Sequence, residues 1–436
     1  MSKRLAALTA VALAATVAAC GSSSSGGGGS SGGSSGSGQK ITGAKVIDPN
    51  SMQNAKGTAT YCTGKDTSGN LIQGVKDFNK ANPGITIKLT QFPTDAQQQH
   101  DQFAQRQRAK SSDCDGMESD VIWTAEFASQ KWLYDMTPYI DSRKSEFIPS
   151  TLQTVTYGGK EWGVPSSTDT GLLFYRTDQV KSAPTTWQQL YSEAQKSNPQ
   201  GIAYQGSAYE GLTCDFLEVA FAAGGSVLSP DGKKSTINSP QNLKALEFMV
   251  NGIKDGAAPK SVTTMLEEPA RLAWEAGKVS FMRNWPYAYS LSQKAPKVKG
   301  KFAVAPLPSF QGAGKAGILG GHNMVISQYS KNPGAMLKFI DYMTGQKVET
   351  LNATKYSKAP VLGSVYDDPS VKKALPFATE MKAAVEQAKS RPVSPVYPQI
   401  SEAIFKNVNN ALSGSTSPQD ALKTADSQIN RALSTF

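Results

Sequence analysis

A chain of 436 residues, 39% of them hydrophobic and 18% charged, is long for a single core, so two lobes are expected. No run after residue 20 is long and apolar enough to span a membrane, which excludes a membrane-embedded body. The formal charge of +10 comes from scattered lysines (Lys65, Lys76, Lys80, Lys88, Lys131) with no basic block or motif. That is the pattern of a solvated surface, not of a nucleic-acid binder.

The N-terminus carries Lys3 and Arg4, then the apolar stretch Leu5 to Ala19, then Val17-Ala18-Ala19-Cys20. Charge followed by an apolar stretch reads as a secretory signal. The tetrad resembles the lipobox of bacterial lipoproteins, which implies lipidation of Cys20; a plain signal peptide with an incidental cysteine is the alternative. Gly21 to Gly38 is almost pure Gly and Ser, a tether with a root-mean-square reach of about 24 Å. Lipid and tether together place a folded body at the outer face of a membrane. Outside the cytoplasm one cysteine pair can oxidise. Cys62 and Cys114 share the first half of the first lobe, so they are the expected bridge, with Cys214 free.

Gly57–Tyr61 is expected as a strand, followed by a helix bearing Leu71, Ile72, Val75 and Phe78 that stops at Asn82-Pro83-Gly84. Ile85, Ile87 and Leu89 alternate with polar residues as a strand with one covered face does. A polar helix over 95–110, a third strand at 120–123 and a helix from Glu126 follow. Strand and helix alternate, so a mostly parallel sheet is expected, with its binding crevice beyond the strand ends. Val164–Arg176 (VPSSTDTGLLFYR) is polar in its first half and apolar over Gly171–Tyr175. It reads as a crossing between lobes with Asp169 in the cleft; an ordinary loop entering a strand is the alternative.

Beyond it, helices are expected at 186–196, 214–223, from Ser239-Pro240 (with Leu243, Leu246, Met249, Val250 and Ile253 on one face), at 266–277 and at 332–344. Strands are expected at 201–204, 279–282, 302–307 and 324–326. The last eighty residues read as helices broken by prolines.

Catalysis has little material. With two histidines, His100 and His322, neither a Ser-His-Asp triad nor a multi-histidine metal site is expected, and no phosphate-binding Gly-rich loop occurs. No metal and no cofactor is expected. A glycosidase carboxylate pair stays open. Met282–Tyr289 (MRNWPYAY) instead supplies Trp285, Tyr287 and Tyr289, rings that can lie against the C–H face of a pyranose; core packing is the alternative for this cluster. Carboxylates and arginine would take the sugar hydroxyls.

Several segments in order carry a family likeness: SDVIWTAEFASQKWLYDMTPYI (119–140), STDTGLLFYRTD (167–178), FMRNWPYAY (281–289), ILGGHNMVIS (318–327) and RPVSPVYPQISEAI (391–404). From about Thr58 to Leu433 the chain resembles the solute-binding lipoproteins of ATP-driven (ABC) sugar importers, in the maltose- and trehalose-binding group of extracellular solute-binding protein family 1. The resemblance implies an α/β, two-lobe periplasmic-binding-protein fold of type II, with discontinuous lobes that close by hinge motion. It implies a signal peptide at 1–20, a tether at 21–43, a first lobe at 44–167 plus 302–354 and a second at 168–301 plus 355–436. Carried over residue by residue, it implies ligand-binding roles for Asp120, Asp169, Trp285, Tyr287 and Arg391, with Glu210 as a weaker match. His322 departs from the pattern, since relatives with GGWN place Trp there. The function implied is capture of a sugar, an α-linked disaccharide such as trehalose or maltose, by a lipid-anchored extracytoplasmic monomer that partners ABC permease subunits and is not an enzyme. A longer oligosaccharide or a non-sugar solute in the same fold, an anchored glycoside hydrolase, and a sensory receptor are the alternatives.

Overall fold

A computed structural model describes residues 41–310, 314 and 317–435. Residues 1–40, which hold the expected leader, Cys20 and the Gly/Ser run, lie outside them. Ile41 is already buried among core side chains, so packed chain begins inside the stretch expected as tether.

β1 (Gly57–Gly64) and β2 (Ile85–Phe92) pair in parallel from Gly57↔Ile85 to Gly64↔Phe92. The helix between them, Asn70–Ala81, lays Leu71, Val75 and Phe78 on the sheet at helical spacing. β3 (Gly116–Asp120) then joins β1 in parallel. The strand expected at 120–123 therefore ends where it was to begin. The Asp120 carboxylate accepts the Ile122 N–H at 3.2 Å and turns Val121–Trp123 into a 3-10 turn. A two-residue hairpin follows, β4 (Thr156–Tyr157) with β5 (Lys160–Glu161).

β6 (Val164–Thr170) and β7 (Leu172–Arg176) meet at Gly171, where the chain leaves one sheet for the other. β8 (Ile202–Ala203), β9 (Phe281–Asn284), β10 (Phe302–Pro306) and β11 (Leu319–Ile326) complete the set. The first sheet runs β2-β1-β3-β11-β6 and the second β10-β7-β9-β8. Parallel pairing holds for β2-β1-β3 and for β8-β9, but β11 is antiparallel to both its neighbours and β7 to both of its own. The sheets are thus more mixed than expected, because β6 runs on into β7 and β11 returns into the first sheet in the opposite sense.

Three expected lobe edges differ from the bonding; the first, between 167 and 168, falls inside β6, which stays in the first sheet as far as Thr170. Residues 302–306, expected in the first lobe, instead form β10, which pairs with β7 along its length, Phe302↔Arg176 to Pro306↔Leu172. Near the third edge, residues expected in the second lobe remain tied to the first. The Val361 carbonyl accepts the Ile148 N–H at 2.9 Å, and Phe147 bridges to Leu362.

One hydrophobic cluster packs Phe103, Phe127, Trp132 and Trp162 against Met117 and Val325 of the first sheet, and includes the disulfide-bonded pair Cys62 and Cys114 (Cα separation 5.7 Å). Cys214 is free and buried. A second cluster gathers helices Trp187–Lys196, Glu210–Ala222, Pro240–Lys254, Tyr397–Leu412 and Pro418–Leu433 around Leu173 and Phe281. The largest draws on both sheets, from Ala59 and Tyr61 to Phe174 and Phe302. No helix among the described residues is long and apolar enough to cross a membrane.

Candidate functional site

A cavity of about 460 Å³ opens between the two sheets, inside the range of about 300–1,000 Å³ that holds small ligands. Asp120, Asp169, Glu210, Trp285, Tyr287, His322 and Arg391 all line it. Strand register accounts for three of these. β11 sets His322 opposite Asp120 of β3, and Gly320 opposite Asp169 of β6.

Gly320 is the residue that lets the aromatic wall close. A Cβ there would stand 3.2 Å from Cζ3 and 3.3 Å from Cη2 of Trp285, and 3.5 Å from Cβ of Asp169. Absence of that carbon allows the indole edge to rest on β11 beside the carboxylate. Trp285 follows β9, its backbone N–H donating to the Asn284 side-chain carbonyl at 2.8 Å. Tyr287 donates its hydroxyl to Glu268 at 2.6 Å, and Glu268 in turn takes Arg271. Burial works to raise the Glu268 carboxyl, but Arg271 and Tyr287 outweigh it and hold the group below its ordinary value.

Arg391 ties elements of the two sheets together. One terminal nitrogen donates to Glu210 at 2.6 Å; the other reaches Asp120 at 3.3 Å and the Leu319 carbonyl at 3.4 Å. Asp120 and Leu319 belong to the first sheet, whereas Glu210 opens helix Glu210–Ala222 of the second cluster. Glu210 also accepts Tyr397 at 2.6 Å and Ser401, so its oxygens are largely committed inside the protein. Burial nonetheless pushes its carboxyl up, with Arg391 drawing it back.

Asp169 differs: no hydrogen-bond partner for its carboxylate occurs among the described residues. Burial pushes it up to about 6, against the pull of His322, Lys358 and Arg283. An acceptor held free in a partly closed cleft is ready for a ligand hydroxyl.

The cavity also has walls that the sequence reading did not pick out. Thr63–Ser68, Asn70 and Leu71, together with Glu118, Tyr209, Glu267, Glu268 and Lys358, line it. Asp66 accepts the backbone N–H groups of Gly69, Leu71 and Ile72 at 2.7–2.9 Å, which fixes the turn into helix Asn70–Ala81 at the cleft wall. Two signals could have found some of these. Residues 64–69 follow the carboxyl end of a parallel strand, and Glu118 lies two positions from Asp120, on the same strand face. Among the described residues no group of three or more His, Cys, Asp or Glu side chains could hold a metal ion.

The sequence profile of the bacterial extracellular solute-binding proteins matches residues 64–350. The chain belongs to this family. A relative from Deinococcus radiodurans, named a probable ABC transporter-binding protein, is 38% identical over 368 residues, 80% of this solute-binding protein and 87% of that one. The solved structure of maltose-bound MalE3 of T. maritima superposes with a TM-score of 0.82 at 36% identity, covering 86% of this chain and 99% of its own. The GacH receptor of Streptomyces glaucescens, solved unliganded and with acarbose, gives a TM-score of 0.79 at 26% identity over 87% and 99%. The solute-binding protein thus has the two-lobe α/β periplasmic-binding-protein fold of type II.

Proposed function

We propose that this protein captures a small neutral sugar, an α-linked disaccharide of the maltose or trehalose kind, by closing its two lobes, and delivers it unchanged to an ABC importer. The observation that carries the reading is the meeting, in one cleft, of a carboxylate with no hydrogen-bond partner among the described residues (Asp169), two half-buried rings (Trp285 and Tyr287) and an arginine shared between the sheets (Arg391). Rings supply apolar area to a pyranose face and the charged groups take its hydroxyls. A micromolar complex, about −8 kcal/mol, needs only a few such contacts. The relatives add support through their names: one is called a probable ABC transporter-binding protein and another holds maltose.

In this reading Asp120, Asp169, His322 and Arg391 are polar ligands, Trp285 and Tyr287 stack, and Glu210 positions Arg391. The lobes are 44–170 with 319–362, and 172–306 with the C-terminal helices; no chemistry is done on the sugar. Cys20, in the lipobox-like tetrad, anchors the chain to the outer face of the cell membrane; Cys20→Ala should release it from the membrane fraction. Calorimetry with a panel of purified sugars tests the binding role. An α-linked glucoside should bind one-to-one, and Asp169→Ala and Trp285→Ala should each weaken it by about tenfold or more. Heat from a longer oligosaccharide alone would redirect the specificity, and monosaccharide released from a disaccharide would replace the reading with a hydrolase.

A further inference from the structure

Behind the aromatic wall lies a charged group that the binding account does not use. Arg283 in β9 is 1% exposed, and its guanidinium carbon sits 3.8 Å from the centroid of the Trp285 ring. The guanidinium is fixed from every other side. Its Nε donates to Glu218 at 2.8 Å, Asp215 pairs with the same nitrogen at 2.9 Å, and the Gln205 side-chain carbonyl accepts from Nη1 at 2.7 Å; Nη2 also pairs with Glu218. Asp215 and Glu218 both come from helix Glu210–Ala222, and Gln205 follows β8. Space for this stack is left by the backbone: a Cβ on Gly171 would run 2.8 Å from the Arg283 Nε and into the Glu218 carboxylate. A buried arginine with two carboxylates could be satisfied without touching any ring, yet here its planar face is laid against the indole.

We propose that Arg283 is a positioning residue for ligand recognition: its clamped guanidinium backs Trp285, fixes the plane of the ring and leaves the cavity side as the one face for the guest. The inference rests on the reading of Trp285 as a stacking platform. A ring held between the guanidinium and the β11 backbone at Gly320 has little rotamer freedom left to lose when a pyranose lands on it. The guanidinium also engages the negative face of the indole on its own side. That favours a neutral C–H surface over a second cation on the front, so the platform selects a neutral sugar ring.

Two readouts test it. Arg283→Met is combined with Asp215→Asn and Glu218→Gln, so that no buried carboxylate is stranded, and the triple variant is compared with the parent in Trp285 and in Trp285→Leu backgrounds. First, in the ligand-free proteins, the Trp285 contribution to the near-ultraviolet circular dichroism (parent minus Trp285→Leu) should fall by half or more when the clamp is replaced, while far-ultraviolet spectra stay the same. Second, with maltose as the probe, replacing the clamp should weaken binding by about tenfold where Trp285 is present and by less than about twofold in Trp285→Leu. An unchanged Trp285 signal, or an equal loss of affinity in both backgrounds, overturns the proposal. A triple variant that does not fold leaves Arg283→Lys to decide: it keeps the charge but loses the planar face, so it should lower the Trp285 signal, and an unaltered signal refutes the role. A parent that takes up neither maltose nor trehalose contradicts the proposed function alone, since the ligand-free signal still decides this inference.

Discussion

Asp169 carries a carboxyl that burial pushes up to about 6, partly offset by His322, Lys358 and Arg283, with Asp120 adding to the rise. An acid raised in this way opposes folding wherever it is ionised: the cost is full above about pH 6 and vanishes as pH falls through its ordinary value. Asp169→Asn should therefore stabilise the ligand-free protein at pH 7.5, by about 1 kcal/mol after allowance for its partial exposure, as read from denaturant midpoints. The ionised carboxylate accepts sugar hydroxyls more strongly than the protonated acid, so affinity should drop by about tenfold between pH 7.5 and pH 5. Asp169→Asn should flatten that profile; a profile of unchanged slope would assign the titration to another group.

His100 behaves with the opposite sign. Burial draws its imidazole down, but Glu126 at 2.6 Å and Asp101 outweigh this and raise it above 6.5. Its contribution is present below the unfolded value and lost as pH rises through the folded one. The stability difference between parent and His100→Asn should thus shrink from pH 6 to pH 9.

At the scale of elements, Gly320 in β11 carries a specific expectation. Gly320→Ala should leave the sheet paired but press the indole away from Asp169, weakening maltose binding several-fold with little change in melting temperature. The disulfide between Cys62 and Cys114 closes a separation of 52 residues, which in chain-entropy terms is worth about 4 kcal/mol. Cys62→Ser with Cys114→Ser should lower thermal stability accordingly while sparing affinity, because neither residue lines the cavity.

Elements with a clean period were legible in the sequence. Leu71, Val75 and Phe78 announce a helix, and Ile85, Ile87 and Leu89 a strand. β6 was not, because its central residues are Ser, Ser, Thr and Asp. They form a strand through pairing with β11 and carry no alternation of their own. The strand expected at 120–123 failed for the opposite reason: Val-Ile-Trp has strand-like side chains, but a local carboxylate-to-backbone bond at Asp120 wins. The residues that meet at the candidate cavity were largely readable through family likeness at scattered positions. Arg283 was not, since nothing in a single arginine before Asn-Trp-Pro tells that two carboxylates of a distant helix hold it flat.

Across the whole molecule, the two sheets are joined at Gly171, between β10 and β11, and again beyond Tyr356, and Arg391 reaches from the C-terminal segment to Asp120 and Glu210. Such connections permit rigid-body closure about a few residues. Small-angle scattering should show a smaller radius of gyration when sugar is added, and Arg391→Ala should weaken both the affinity and the contraction. Length and strand order foretold two lobes. The exact edges were not foretold, because strand pairing across a crossing depends on partners far away in sequence, as β10 shows by joining β7.

The most direct measurement is ligand-observed NMR of ¹³C-labelled maltose and trehalose with the purified protein. Signals of one of these disaccharides should shift or broaden at one equivalent and return unaltered when excess unlabelled sugar displaces it. Signals that stay sharp and unmoved for both, or the growth of free glucose resonances, would contradict the account.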